Sequence, residues 1–275
     1  MTHKKVKELA LIGSGGAFVI IASSLTTLAL AHGGDTNLIH ACVKTSNSNN
    51  ANIRIVGEND TCNNNEVTLD WSKDGSSASY APGLAGVPFH CAKCSLSESP
   101  YLAGKDLTDA WLRQSDISST DLTDTIFVNA TLNNTRFDNS QVSGADFTGA
   151  YMRETDFSYS VAIGATFVNA DLQASALIFA DFSNANFSGA TIDSGALQGS
   201  IYTNADFTSA SIQNTVFNDI NATQTNFTNA NFTDANLQGA LFMADTNRTG
   251  VIWSNTICPD GTNSDTNGNT CEGHF

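Results

Sequence analysis

Between Cys94 and Cys258 the chain has no cysteine, no histidine and a single lysine, Lys105. Nucleophile, general-base and metal chemistry there would rest on scattered Asp and Glu side chains such as Glu154. No enzyme and no cofactor are therefore expected. Positive charge is also scarce: 12 Lys and Arg stand against 27 Asp and Glu, a formal charge of −15. Only five Lys or Arg occur between Leu102 and Ile252. Phosphate binding needs clustered Lys and Arg, so nucleic acid and anionic lipid are excluded as partners. Without cysteines, the long middle must hold itself together by packing.

One long apolar run occurs, at the start. Lys4, Lys5 and Lys7 precede it, residues 9–30 are mostly apolar, and Ala29-Leu30-Ala31 forms an A-x-A cleavage signature. The expectation is a signal peptide over 1–31, with no membrane span after cleavage. An uncleaved anchor is the alternative, because the run is long enough to span. Gly13, Ser14, Gly15 and Gly16 argue against it. Cleavage leaves 9 basic and 26 acidic residues, a charge of −17. The bulk of the chain is expected in an oxidising space: secreted, periplasmic or at the cell surface.

The six cysteines, Cys42, Cys62, Cys91, Cys94, Cys258 and Cys271, are an even number in an exported chain and read as three disulfides. Pairing of neighbours is the simplest of 15 connectivities. Cys91 and Cys94 also form a C-x-x-C. A redox site would need a thioredoxin-like context that is missing, and zinc would need two more ligands, with only His40 and His90 as helpers.

From Leu102 onward every fifth residue is large and apolar, through Phe127, Phe147, Phe167, Phe187, Phe207 and Phe227, with the phase unbroken to Phe242. Ala162 and Ala222 are gaps, and Asn247 interrupts the series before Ile252. Two residues before nearly every large one stands Ala, Ser, Thr or Gly; Lys105, Ile220 and Asp245 depart. In an α-helix, five steps rotate a side chain by about 140°, so these residues would spiral around the surface. In a straight strand five is odd, and they would alternate between faces. A coil that turns a corner every five residues points all of them inward. Such internal repeats signal a solenoid.

The number of sides follows from a longer period. "FTGAYM", "FVNADL", "FSGATI", "FTSASI" and "FTNANF" recur every 20 residues, or four pentads. The fold expected is all-β: a four-sided coil of about 31 pentads, nearly eight coils, roughly 37 Å long at a strand spacing of about 4.8 Å.

The pattern A-[D/N]-[L/F]-[S/T]-x, seen in "ADFTG", "ADFSN", "ANFSG", "ADFTS", "ANFTD" and "ANLQG", resembles the pentapeptide repeat family. That resemblance implies a right-handed quadrilateral β-helix. It also allows DNA mimicry, in which an acidic rod protects gyrase-like enzymes, a role the signal peptide argues against.

A solenoid needs capped ends. The expected organisation is a small Cys-containing module at 32–71, with two short strands closed by Cys42–Cys62. A linker and N-terminal cap follow at 72–93, the repeat solenoid at 94–256 and a disulfide loop at 257–275. That loop holds oxygen ligands at short spacing: Asp260, Asp265, Asn267, Asn269 and Glu272. A calcium-loop pattern fits from Asp265 until Thr270 stands where glycine should be, and Asx-rich turns explain the segment as well.

Two outer features stand out. Thr108, Val128, Thr148, Val168, Ser188, Thr208 and Thr228 form a ladder of the kind that binds ice, but its companion rank, with Asp106, Asp146 and Asn186, is the wrong chemistry. Tyr159, Val161, Ile163, Ile178 and Phe179 should project outward close together as a partner or homodimer contact. The reading is a non-catalytic exported rod presenting a rigid acidic surface to a protein or glycan. The alternatives are a topoisomerase-directed DNA mimic and a metal-binding surface protein.

Overall fold

A computed structural model describes the backbone of residues 38–44, 53–56 and 66–72, and residues 92–93, 95–97, 99, 102–242 and 245–275 in full. The expected signal segment, linker and Cys91–Cys94 pair lie outside the described residues, as does the proposed partner of Cys42.

Strand β1 (Leu38–Lys44) is the centre of a three-stranded antiparallel sheet, flanked by β2 (Ile53–Val56) and β3 (Glu66–Ser72). His40 pairs with Val56 on one side and with Asp70 on the other. The sequence reading expected two strands. The third is carried by the period-two alternation of Val67, Leu69 and Trp71, a strand pattern in its own right.

From Asp106 to Leu241 the chain forms single-residue parallel bridges to the residue 20 positions on, such as Asp106–Ile126, Tyr151–Asp171 and Asn221–Leu241. Four pentads therefore make one circuit. At most corners the amide of the small residue donates to the carbonyl of the preceding large one, as from Ala130 to Phe127 at 3.0 Å. The residue before that small one has positive φ: Asn129 at 56°, Gly149 at 67°, Asn169 at 56°. This is the type II turn pattern, which explains why Asn, Asp and Gly recur there.

The large residues from Leu102 to Phe242 are buried. Rings one coil apart stack: Phe147 on Phe167 at 4.9 Å, Phe167 on Phe187 at 4.7 Å and Phe187 on Phe207 at 4.7 Å. Rings on opposite sides meet edge to face, as Phe147 and Phe157 do at 5.6 Å. The tube is thus filled in both geometries that aromatic pairs prefer. Serine and threonine in the small slots do more than stay small. The Thr135 hydroxyl donates to Leu112 O at 2.8 Å, and that of Thr225 to Tyr202 O at 2.7 Å, tying each coil to the one before. At one gap volume is exchanged between slots: Ile220 is fully buried two residues before Ala222.

Tyr202 is the exception in the aromatic column. It is fully buried, and burial pushes its phenol well above the usual range. Its hydroxyl has no hydrogen-bond partner, while the nearby Ser200 hydroxyl donates to Leu177 O and accepts from Ala180 N–H. Tyr202→Phe removes an unsatisfied group and is expected to raise stability by about 1 kcal/mol, measured by urea unfolding. A loss of stability would mean that the hydroxyl is satisfied.

The end of the series corrects the five-residue phase. Beyond residue 242 the bridges become Asn226–Asn247, Asn231–Ile252 and Asn236–Ile257, a separation of 21. One extra residue has been inserted between Leu241 and Asn247. Trp253, not Ile252, takes the inward slot and stacks on Phe232 at 5.4 Å; Ile252 faces out. Asn247 likewise lies in the outward rank, and Arg248 follows it toward the interior.

Candidate functional site

The last coil closes on itself. After Ile257 the chain reverses, pairs Ile257 with Asn263 antiparallel, and makes a short 3-10 turn at Ser264–Asn267. A disulfide joins Cys258 to Cys271, both buried. The buried Ser264 hydroxyl bonds Trp253 O and accepts from Thr256 N–H. Phe275 packs on Phe242 at 5.3 Å and lies under the Arg248 guanidinium at 4.1 Å, while Arg248 pairs with Glu272 at 3.1 Å. An apolar end and a sheet edge are thus both covered.

The five oxygen-bearing residues named for calcium make contacts within this cap. Asp260 accepts from the Thr262 hydroxyl and amide and meets His274 Nδ1 at 2.8 Å. Asp265 accepts from Asn255 N–H, Asn267 donates to Thr262, and Glu272 holds Arg248. Asn269 uses its backbone amide to reach Ser264 O and sits at positive φ. Among the described residues no group of three or more His, Cys, Asp or Glu is placed to hold a metal.

The Thr262 hydroxyl, its amide and His274 together lower the Asp260 pKa from an ordinary 3.8 to about 2. A carboxyl depressed in the folded state stabilises it above its ordinary pKa, and that contribution is lost as pH falls through the folded value. Loosening of the cap, read by Trp253 fluorescence, is expected between about pH 4 and pH 2. Asp260→Asn should abolish that transition.

The threonine ladder is internally engaged. Asp146 accepts from Thr148 N–H, Asp206 accepts from both the amide and hydroxyl of Thr208, and Asn226 and Asn247 donate across coils to Thr208 and Thr228. These side chains brace the corners, and the hydroxyls of Ser188, Thr208 and Thr228 donate to the Asn or Asp two residues before them.

The residues read as a partner patch gather around one corner. Tyr159 and Phe179 stack at 5.7 Å, 59% and 57% exposed. Ile178 lies half-buried on the side before the corner, with Val161 half-buried and Ile163 exposed on the side after it. Tyr159 and Phe179 occupy turn positions with φ of 61° and 53°. Bulky residues are rarely held there. The next position in the column is Gly199, where an added Cβ would fall 2.3 Å from the Phe179 ring.

A second exposed column escaped the sequence reading. Trp111, Thr131, Tyr151 and Asp171 are bridged in succession along one side, with Trp111 42% and Tyr151 57% exposed. The signal was available: two aromatics 40 residues apart, each in the outward slot immediately before a large residue.

A sequence profile for pentapeptide repeats matches in 8 copies over segments running from residue 101 to 242. No curated protein matches significantly. Among solved structures, the fluoroquinolone resistance protein QnrB1 is 17% identical over 60% of this chain and 91% of its own, with a TM-score of 0.33. HetL, from the cyanobacterium Nostoc sp. strain PCC 7120, is 22% identical over 64% of this chain and 91% of its own, with a TM-score of 0.27. A pentapeptide repeat protein from the Arabidopsis thaliana thylakoid lumen is 28% identical over 47% of this chain and 73% of its own, with a TM-score of 0.24. The profile spans more than half the chain, in phase with the four-sided coil of stacked rings, and the chain therefore belongs to the pentapeptide repeat family.

Proposed function

We propose that this protein is a non-catalytic, exported interaction scaffold: a rigid rod of about eight coils with disulfide-closed ends, acting outside the cytoplasm. The corner patch of Tyr159 and Phe179 is its protein contact. The observation that carries this reading is the pair's backbone. Most other corners use Asn, Asp, Ser or Gly, and a few use Gln114, Glu154, Ala174 or Gln224, while among the described corners these two hold aromatic rings, stacked and exposed. Strain of this kind is retained where a surface needs the side chain. The interior supports the non-catalytic part, since it is filled by apolar side chains and leaves chemistry only to the outer ranks.

The test is the double variant Tyr159→Asn, Phe179→Asn. It installs the residue type that other corners use, so stability should rise by about 1 kcal/mol. Cross-linking to an envelope protein, detected after fractionation of the producing cell, should be lost. Retention of the wild-type chain in the cytoplasm would overturn the exported part. Undiminished cross-linking by the variant would overturn the patch.

A further inference from the structure

We infer that the side carrying Trp111 and Tyr151 is a binding face for an extended, uncharged β-linked polysaccharide. The bridges Trp111–Thr131 and Thr131–Tyr151 place the two aromatics in one outward column, two coils apart. With coils spaced as their stacked rings are, this is about 9.6 Å, from a strand spacing of about 4.8 Å. In an extended β-linked pyranose chain successive rings are flipped, so alternate sugars present the same apolar face one disaccharide apart. Two aromatic platforms at that separation receive alternate sugars. The short Thr131 leaves room for the sugar between.

The second outward column on this side supplies the hydroxyl contacts. Arg113, Asn133, Arg153 and Gln173 follow one another there. Guanidinium and carboxamide groups offer planar donors, and Gln173 an acceptor, suited to neighbouring sugar hydroxyls. Arg153 is already oriented: its Nε pairs with Asp171 at 2.6 Å, leaving the terminal N–H groups to donate outward.

Charge selects among polysaccharides. Over the three coils from Trp111 to Glu154 this side carries Arg113, Arg153 and Glu154, a net of +1, which Asp171 in the next coil brings to zero. The side with Phe127 carries Asp106, Asp109 and Asp146 against Lys105, a net of −2. The side with Phe137 has Asp116, Asp138 and Asp156 against Arg136, and the side with Val142 has Asp121 and Asp124, a net of −2 each. This is therefore the one side of these coils that is not acidic, on a chain of net charge −15. A polyanion would be repelled by the rest of the rod, whereas an uncharged glycan meets only this face.

The inference rests on the reading of the chain as an extracytoplasmic binding rod, but uses a different face from the Tyr159–Phe179 corner. The test is retention of the full chain on chitin and on cellulose, with hyaluronan as the charged control. Three variants are compared: Tyr151→Ala; the exchange Thr131→Tyr, Tyr151→Thr; and the corner double Tyr159→Asn, Phe179→Asn. The exchange keeps composition and halves the spacing of the aromatics to one coil, and circular dichroism establishes that it folds. Retention on a neutral glycan is expected, weakened about tenfold or more by Tyr151→Ala and by the exchange and unchanged by the corner double. Retention undiminished by the exchange, tighter binding to hyaluronan, or no binding to either neutral glycan would overturn the inference. None of these three results bears on the corner or on export, which fractionation and cross-linking decide separately.

Discussion

Phe187→Ala is expected to lower the unfolding free energy by about 3–5 kcal/mol. Its ring lies at 4.7 Å from both Phe167 and Phe207, and meets Phe182 at 5.4 Å and Tyr202 at 6.1 Å edge to face. Removing it deletes two stacked and two edge contacts, each worth about 0.5–1.5 kcal/mol beyond area burial. The cavity cannot collapse easily, because every neighbouring backbone segment is fixed by bonds to the coils before and after: Phe187 N–H donates to Asp206 O and Phe167 N–H to Asn186 O. A solenoid is nearly one-dimensional, so a weak coil in its middle separates the flanking halves. Urea unfolding of the variant should show a lower midpoint and a broader transition than wild type. A loss below about 1 kcal/mol would mean that the stack is dispensable.

The same regularity made most of this fold readable in the sequence. A period of five can be satisfied only by bending the chain at every pentad, and the 20-residue recurrence gives the number of sides. What escaped was wherever the period changed by one. The insertion beyond residue 242 leaves Ile252 and Trp253 adjacent, and both are apolar. The five-residue count alone chooses Ile252. The better guide was the small slot: Thr256 and Cys258 stand in the same relation as Val251 and Trp253, which sets the shifted phase. The gap at Ala222 was visible, but not its filling by Ile220, since that needs both slots to share one volume. At the surface, the corner aromatics were legible as exposed bulk. Their positive φ was implied by the turn and only needed to be drawn from it. The Trp111–Tyr151 column was missed because its two members are 40 residues apart, with a threonine and many ordinary pentads between.

Removal of the terminal disulfide is the second large effect. In Cys258→Ala, Cys271→Ala the bond closing a sequence separation of 13 is lost, and loop-closure entropy alone puts the cost at about 3 kcal/mol. The structure says where this cost falls. Cys258 occupies an inward slot of the last coil, and its neighbours carry the final rungs: Leu237 N–H donates to Ile257 O at 2.8 Å and Gly239 N–H to Pro259 O at 2.9 Å. The segment from Cys271 to Phe275 holds the ring that covers Phe242 and the carboxylate that holds Arg248. Freed from Cys258, that segment no longer shields the end, and the last coil meets water on its open edge. Hydrogen exchange should therefore accelerate first at Leu237 and Gly239, and Trp253 emission should shift to the red. The column from Phe147 to Phe207 should keep its protection, because in a stack of coils an end frays without carrying the middle with it. Equal loss of protection along the whole rod would show that the cap nucleates the fold and does not merely close it.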